Sequence, residues 1–345
     1  MTELKNIPLP PEGEKPEDGK SLLERAGNLL GGEGVPGAFR SAPVPRALAE
    51  RPRKRGEERK RARAALSPEA PATEDMTIAA AETPAAPDQA TPPAEPVRFT
   101  GPEIRIDRER LRDQGLIVPG GPVTSLLEEF RIVKRELLNA ARDPDPALPP
   151  QRAQFVLICS PHPGEGKTFC AINLALAMAA EKDSEVLLVD ADFAKPSVLS
   201  LLGLPRGPGL MDALADPGIA VEDCVISTDI SGLHVLPAGN QTASDSEYLG
   251  SRRTSDVLMR LVQGTPDRIV IFDSPPALAA SPAAELAKFV GQAVLVTRAD
   301  STGQSALEDA LQLLSHCHDI KLLLNAVNFS PSGRRFGSYY GYSGE

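Results

Sequence analysis

The 345-residue chain carries a net charge of −10 at pH 7, which argues against a general nucleic-acid-binding protein. Its four cysteines stand at no disulfide or metal-binding spacing, and no stretch approaches the ~18–20 apolar residues that cross a bilayer. The N-terminus also lacks the pattern of a signal peptide, so the sequence predicts a cytoplasmic protein.

Residues 1–103 are rich in Pro, Ala, Glu and Arg and nearly free of aromatic residues, which predicts a mostly disordered region. A short helix is predicted near residues 21–30, where leucines recur on one helical face. It is either a docking peptide for a partner or a transient helix without a role. The basic run at residues 51–63 indicates a solvated stretch or, less favoured, a contact with an acidic membrane surface.

Order is expected to begin near Ile104. Residues 104–150 are predicted to form an N-terminal extension, whose main element is a helix from Val123 to Ala141 with an apolar stripe. In residues 151–330 strand and helix patterns alternate, and most strands are continuous apolar runs, which is typical of a parallel sheet buried on both faces. The predicted fold is therefore α/β: a three-layer P-loop NTPase domain with a mostly parallel sheet, which binds ligands at the carboxyl ends of its strands.

The boundaries of these elements follow from the apolar runs and their periodicity. The predicted strands are Phe155–Cys159, Glu185–Val189, Leu233–Leu236, Arg268–Phe272, Ala293–Thr297 and Lys321–Leu324, and the helices among them are Thr168–Glu181, Arg253–Val262 and Gln304–Leu314.

Residues Ser160–Thr168 form a predicted phosphate-binding loop between a strand and a helix. Its glycines let backbone N–H groups curl around a phosphate, and the positive N-terminus of the helix points at the anion. Lys167 supplies charge to the β- and γ-phosphates, and the Thr168 hydroxyl is a candidate magnesium ligand. Pro161 replaces the usual first glycine, and a chance glycine-rich turn is the alternative. The residues expected to contact ATP here are Pro163, Gly164, Glu165, Gly166, Lys167, Thr168 and Phe169.

Two further motifs place carboxylates after buried strands. Asp190 and Asp192 follow one apolar run, and Asp273 follows another. Buried carboxylates are costly unless they meet a cation or a hydrogen-bond network, and alternation along an extended chain points Asp190 and Asp192 to one side. With Mg²⁺ nearby, one carboxylate can hold the metal while the other accepts a proton. Either motif alone could cap a strand; together with the loop they predict an ATP and Mg²⁺ site.

These residues resemble those of the bacterial protein-tyrosine kinases, which belong to the same larger group as the MinD and ParA ATPases. The resemblance covers the chain from about Ile104 to the end, and it is closest to the exosortase-associated tyrosine autokinases of exopolysaccharide clusters. The segments that carry it are the phosphate-binding loop, Val189–Asp192, Leu236–Gly239 and Phe272–Pro276.

The resemblance implies a role for each matching residue. Lys167, Asp190 and Asp192 would be catalytic, with Asp190 as the base. Thr168, Asp192 and Asp273 would hold Mg²⁺. Asn325 matches a position that contacts adenine in related ATPases.

The resemblance also implies a homo-oligomeric ring. Glu128, Arg131 and Lys134 fit the E-x-x-R-x-x-R oligomerisation motif of the family, with Lys in place of the last Arg. Their spacing of three puts them along one side of a helix, and a solvated charged face is the alternative. Lys lacks the bidentate contacts of Arg, which weakens the expected ring.

Three of the four tyrosines lie in the last seven residues of the chain: Tyr339, Tyr340 and Tyr342. Residues 331–345 are rich in Gly and Ser, which predicts a flexible tail that can enter another subunit's active site. The tail is the predicted substrate. Phosphates on it would add negative charge and repel neighbouring subunits.

The sequence therefore predicts a tyrosine autokinase that transfers the γ-phosphate of ATP to its C-terminal tyrosines and regulates exopolysaccharide synthesis and export. By resemblance, a membrane protein of the polysaccharide chain-length (copolymerase) type would activate it at the inner face of the cytoplasmic membrane. The alternatives are a MinD- or ParA-like ATPase switch and a nucleotide-binding adaptor without kinase activity. His162, where the switches have a signature Lys, argues against the first, and the intact lysine and aspartates argue against the second.

Overall fold

The computed structural model describes residues 95–327 apart from Ala147, Asp183 and Ala243. The helix predicted near residues 21–30, the basic run at residues 51–63 and the tyrosine tail at residues 331–345 lie outside the described residues.

Within the described residues, eight strands form one sheet in the order β1-β4-β5-β3-β6-β2-β7-β8. Every neighbouring pair is parallel except β4 and β5. The strands are β1 (Glu103–Ile104), β2 (Phe155–Cys159), β3 (Glu185–Asp190), β4 (Ile226–Thr228), β5 (Leu233–Leu236), β6 (Arg268–Asp273), β7 (Gln292–Arg298) and β8 (Asp319–Asn325).

Helices cover both faces of this sheet. They are α1 (Arg108–Asp113), α2 (Ser125–Arg142), α3 (Lys167–Ala179), α4 (Val198–Leu202), α5 (Leu210–Ala215), α6 (Asp245–Leu249), α7 (Arg252–Val262), α8 (Pro282–Leu286) and α9 (Gln304–Leu313), with 3₁₀ turns at Pro150–Gln154 and Val221–Cys224. None of the described helices is both long and apolar enough to cross a membrane.

Two apolar clusters make the fold three-layered. Helices α5 to α9 pack on one face of the sheet, and α1 to α4 pack on the other. Strands β2, β3 and β6 are buried along nearly their whole length, because helices cover them on both sides. The three-layer α/β fold with a mostly parallel sheet is thus confirmed.

The six strands predicted from apolar runs are all present, several of them longer at their ends, and the four main helices agree within two residues at each end. Strands β1 and β4 were not predicted. They have two and three residues, too few to show a periodic pattern.

Helix α3 is buried on nearly all sides, from Cys170 to Ala179. The sheet covers one side, and the apolar stripe of α2, with Phe130, Val133 and Leu137, covers another. A helix that is apolar all round needs such a double cover. The N-terminal extension therefore completes the core beside the phosphate-binding loop, because α3 is the helix that follows this loop.

The packed part of the chain begins before Ile104, the residue near which order is expected to begin. Val97 is buried, its N–H donates to the carbonyl of Gln263 at 3.0 Å, and Phe99 packs against the core. This earlier start could not be predicted, because a single valine and a single phenylalanine in a proline-rich stretch form no pattern.

The reason for this earlier start is Arg268, whose side chain is 1% exposed at the amino end of β6. Its guanidinium lies 4.1 Å from the ring centroid of Phe99, donates to the carbonyl of Val97 at 2.7 Å and lies 3.1 Å from Glu185. His234 adds an edge-on ring contact with Phe99 at 5.0 Å, and burial lowers the pKa of this histidine. A buried guanidinium needs such partners, and part of them come from residues 97–99.

We predict that Arg268→Leu lowers the free energy of unfolding by about 3–5 kcal/mol, because it leaves the buried carbonyls of Val97 and Leu261 without a donor and removes the ion pair with Glu185. Arg260→Leu is the matched control. Arg260 pairs with Glu222 at 2.6 Å on the surface, with its side chain 44% exposed, so its loss should cost about 1 kcal/mol or less. Urea unfolding of both variants checks this, and equal losses would contradict it.

Candidate active site

The phosphate-binding loop connects β2 to α3 at the carboxyl edge of the sheet. Gly164 and Gly166 have φ angles of 82° and 97°, a backbone region that disfavours residues with a Cβ. Gly166 is also closed in by Asn325, since a Cβ added to it would lie 2.1 Å from the side-chain nitrogen of Asn325. The loop is therefore held in the conformation that its glycines permit, with α3 starting directly behind it at Lys167.

The amino group of Lys167 lies among the predicted metal ligands. Its Nζ is 2.7 Å from Asp192 Oδ2, 3.8 Å from Asp273 Oδ1 and 3.3 Å from the Thr168 hydroxyl. Three segments far apart in the chain thus meet: the loop, the end of β6 and the turn after β3. Lys167 can move from these carboxylates to the phosphates of a nucleotide, a common task of a loop lysine.

Asp273 is buried without an ordinary hydrogen bond. The residue is 0% exposed, and its carboxylate makes no hydrogen bond of ordinary geometry with the described residues; the Lys167 amino group at 3.8 Å and the Thr168 hydroxyl are its polar neighbours. Burial raises the pKa of Asp273 to about 7, although the charge of Lys167 and the hydroxyl of Thr168 act in the opposite direction. A buried carboxylate without ordinary hydrogen bonds costs free energy. Its position beside Lys167 therefore indicates that a metal cation binds next to it.

Asp190 has different surroundings, although it is equally buried. Oδ1 accepts the N–H of Asp192 at 3.2 Å, and Oδ2 accepts those of Ser197 at 2.9 Å and Val198 at 3.0 Å. Burial raises the pKa of Asp190 to about 6, against the effect of these hydrogen bonds. The carboxylate of Asp190 therefore orders the turn that carries Asp192. Its role as the base stays a prediction.

The residues at this edge fit Mg²⁺ bound together with a nucleotide. No group of three or more His, Cys, Asp or Glu side chains forms a ready-made metal site in the part of the chain that the structure describes. Mg²⁺ commonly binds through one or two carboxylates plus substrate phosphates, and Asp273, Asp192 and the Thr168 hydroxyl supply hard oxygen ligands. The buried oxygens of Asp273 are the observation that supports the fit.

The remaining predicted nucleotide contacts have separate surroundings. Pro163 is exposed at the loop, and Phe169 packs against the apolar cluster under α2. Asn325, expected to contact adenine, donates from Nδ2 to the carbonyl of Glu165 at 2.9 Å. Sequence reasoning missed Thr302, whose hydroxyl donates to the carboxylate of Glu165, because the turn after β7 carries no motif.

The three predicted oligomerisation residues have different partners within the subunit. Glu128 and Arg131 pair with each other along α2, half-exposed. Lys134 is buried, donates to the carbonyl of Ala177 at 3.0 Å and pairs with Glu181 at 2.6 Å. Lys134 thus stabilises the end of α3 within its own subunit. An open groove of about 320 Å³ lies beside these side chains, between α2 and the end of α3.

We predict opposite stability changes for the two buried aspartates in protein free of nucleotide and metal. Asp273→Asn removes a fully buried charge whose oxygens make no ordinary hydrogen bond and whose ion pair with Lys167 is long, so it should raise the free energy of unfolding by about 1–3 kcal/mol. Asp190→Asn is the matched control, and it should lower that energy by a similar amount: its amide keeps one acceptor oxygen and places an NH2 donor where the other oxygen accepted a backbone N–H, so part of the three hydrogen bonds is lost. Urea unfolding in EDTA measures both, and a destabilised Asp273→Asn would speak against a cation site.

Comparisons with known proteins show which family and which proteins this chain is similar to. Residues 153–327, more than half of the chain, match the family model described as an AAA domain. The putative tyrosine-protein kinase EpsB of Ralstonia solanacearum is 31% identical over 234 residues, which are 67% of this chain and 30% of EpsB. The tyrosine-protein kinase YwqD of Bacillus subtilis is 29% identical over 241 residues, 70% of this chain and 96% of YwqD.

Among solved structures, the chimerical protein CapA2B2 is similar at a TM-score of 0.50 and 28% identity, over 63% of this chain and 98% of that one. The chain spans less than a third of the length of EpsB. Its loop and its aspartates at the carboxyl ends of parallel strands are those expected of a nucleotide-binding domain. The chain belongs to the AAA domain family and is a relative of the bacterial tyrosine-protein kinases.

Proposed function

We propose that this protein is a tyrosine autokinase that transfers the γ-phosphate of ATP to Tyr339, Tyr340 and Tyr342 of its own tail. The observation that carries the proposal is the buried carboxylate of Asp273, which makes no ordinary hydrogen bond within the described residues and lies 3.8 Å from Lys167 at the phosphate-binding loop. It supports a site for a metal-bound nucleoside triphosphate. The relatives named tyrosine-protein kinases support tyrosine as the acceptor.

In this proposal the loop N–H groups and Lys167 bind the phosphates and stabilise the charge that develops during transfer. Mg²⁺, held by Thr168, Asp192 and Asp273, would neutralise part of the phosphate charge. Asp190 and its three backbone hydrogen bonds keep Asp192 in place beside Lys167. The rigid, buried strand ends thus position the reacting groups before ATP binds.

The transfer step itself is a displacement at the γ-phosphorus. The tyrosine oxygen forms the new P–O bond, the bond to the oxygen that bridges the β- and γ-phosphates breaks, and ADP leaves. The proton of the tyrosine hydroxyl passes to a carboxylate, for which Asp190 is our candidate, since it lies in the same cluster as Asp192 and Asp273.

The position of the tail favours it as the substrate. Strand β8 ends at Asn325, whose side chain contacts the phosphate-binding loop, so the chain leaves the sheet at the active-site edge. From Val327 to Tyr339 an extended chain spans roughly 40 Å, enough to reach a neighbouring subunit. We propose transfer in trans, between subunits of a ring.

We expect phosphotyrosine at Tyr339, Tyr340 or Tyr342 when the purified full chain is incubated with ATP and Mg²⁺. Mass spectrometry maps the sites, and a rate per molecule that rises with protein concentration supports transfer in trans. Lys167→Met should lose at least about a hundredfold in rate, because it removes a charged contact to the transferred phosphate. ATP hydrolysis without any phosphotyrosine would indicate an ATPase switch, and binding without turnover would indicate an adaptor.

We also propose an activator, a membrane protein of the polysaccharide chain-length type, which would recruit the kinase to the inner face of the cytoplasmic membrane for exopolysaccharide synthesis and export. The resemblance of the sequence to autokinases of exopolysaccharide clusters supports it. The phosphorylation assay therefore has a second arm, which contains the cytoplasmic segment of such a protein.

For the ring, we propose that Glu128 and Arg131 supply the subunit contact, whereas Lys134 acts within its own subunit. Arg131→Glu should shift the mass in light scattering towards the monomer, because it puts like charges at the contact. Lys288→Glu is the matched control, since Lys288 and Glu285 form the same kind of half-exposed pair next to α8. A mass unchanged by Arg131→Glu, or changed equally by both variants, would contradict this contact.

A further inference from the structure

The carboxylate of Glu165 lies inside the phosphate-binding loop, where it is 4% exposed. Its Oε2 accepts the backbone N–H of His162 at 2.7 Å, and its Oε1 accepts the hydroxyl of Thr302. The Thr302 hydroxyl in turn accepts the N–H of Arg298 at 2.9 Å. One side chain thus connects the loop to the turn that follows β7.

The backbone of Glu165 makes a second connection. Its carbonyl accepts Nδ2 of Asn325 at 2.9 Å, at the end of β8. In the sheet, β7 and β8 lie on one side of β2, whereas β3 and β6, which carry the aspartates, lie on the other. Lys167 therefore ties the loop to the aspartates, and Glu165 ties it to the opposite side.

A buried carboxylate at this place opposes phosphate binding, because like charges repel more strongly at low dielectric than in water. Glu165 thus weakens the loop as an anion site through its charge. The contacts of Glu165 offset this electrostatic repulsion, because they hold the loop in place. Glu165 holds the backbone N–H of His162 and connects the turn after β7 to the loop. The loop therefore loses less conformational entropy when a nucleotide binds.

We propose that Glu165 is a positioning residue for the nucleotide: through the hydroxyl of Thr302 it holds the phosphate-binding loop in the conformation that accepts the phosphates. This inference rests on the proposed nucleotide site, but not on the choice of tyrosine as acceptor. It gives the turn after β7 a part in nucleotide affinity.

The test is the affinity of the full chain for ATP with Mg²⁺, measured by displacement of a fluorescent ADP analogue. Thr302→Val keeps the shape of the side chain and removes the hydroxyl, so affinity should fall about five- to tenfold, within the loss expected for one ordinary hydrogen bond. Thr302→Ser keeps the hydroxyl and should stay within about twofold of wild type. Because Thr302 lies in a half-buried turn, both variants should fold.

Glu165→Ala completes a double-mutant cycle. In its background Thr302→Val should change affinity by less than about twofold, because the partner of the hydroxyl is already gone. If Glu165→Ala fails to fold, the comparison of Thr302→Val with Thr302→Ser still decides.

A purely structural role would lower the thermal midpoint of the nucleotide-free protein and leave the affinity of the folded protein unchanged. That result, or equal affinities for Thr302→Val and Thr302→Ser, would overturn the proposal. If the wild-type chain forms no phosphotyrosine but the variants show the expected changes in ATP affinity, only the kinase assignment is overturned. The two failures are therefore distinguishable.

Discussion

The pairing of one lysine with carboxylates at the dry edge of a parallel sheet is the constraint on which this structure depends. Lys167 can meet Asp192 and Asp273 only if β3 and β6 lie side by side and the loop after β2 folds back over them. The carboxylates at this edge outnumber the one lysine, and that of Asp273 makes no ordinary hydrogen bond within the described residues. The apolar strands supply the rigidity, and the charge they hold supplies the affinity for a cation.

Much of the fold could be predicted from the sequence, because the strands that matter are buried on both faces and appear as continuous apolar runs. The meeting of the loop with the aspartates could also be predicted, since the carboxyl ends of parallel strands share one edge. Strands β1 and β4 could not, because two or three residues at the border of a sheet carry no pattern.

The missed features all depend on contacts between distant residues. A lysine at motif spacing looks like a surface charge, yet Lys134 turns inward to the end of α3. An arginine at the start of an apolar strand gives no sign that Arg268 will bind Val97 and Phe99. Thr302 lies in an ordinary turn, and only the fold brings it to Glu165. Periodicity reports which face is buried, but it does not identify the partner of a buried polar group.

The contact of Arg268 with residues 97–99 also fixes where the described chain begins on the sheet. Glu95 and Val97 lie against the end of α7 and the amino end of β6, whereas Val327 follows the carboxyl end of the parallel strand β8. The two ends of the described chain therefore lie at opposite ends of the parallel strands. A tether attached ahead of Glu95 would pull on the amino ends of the strands, remote from the phosphate-binding loop. The loop would then stay open to a neighbouring molecule.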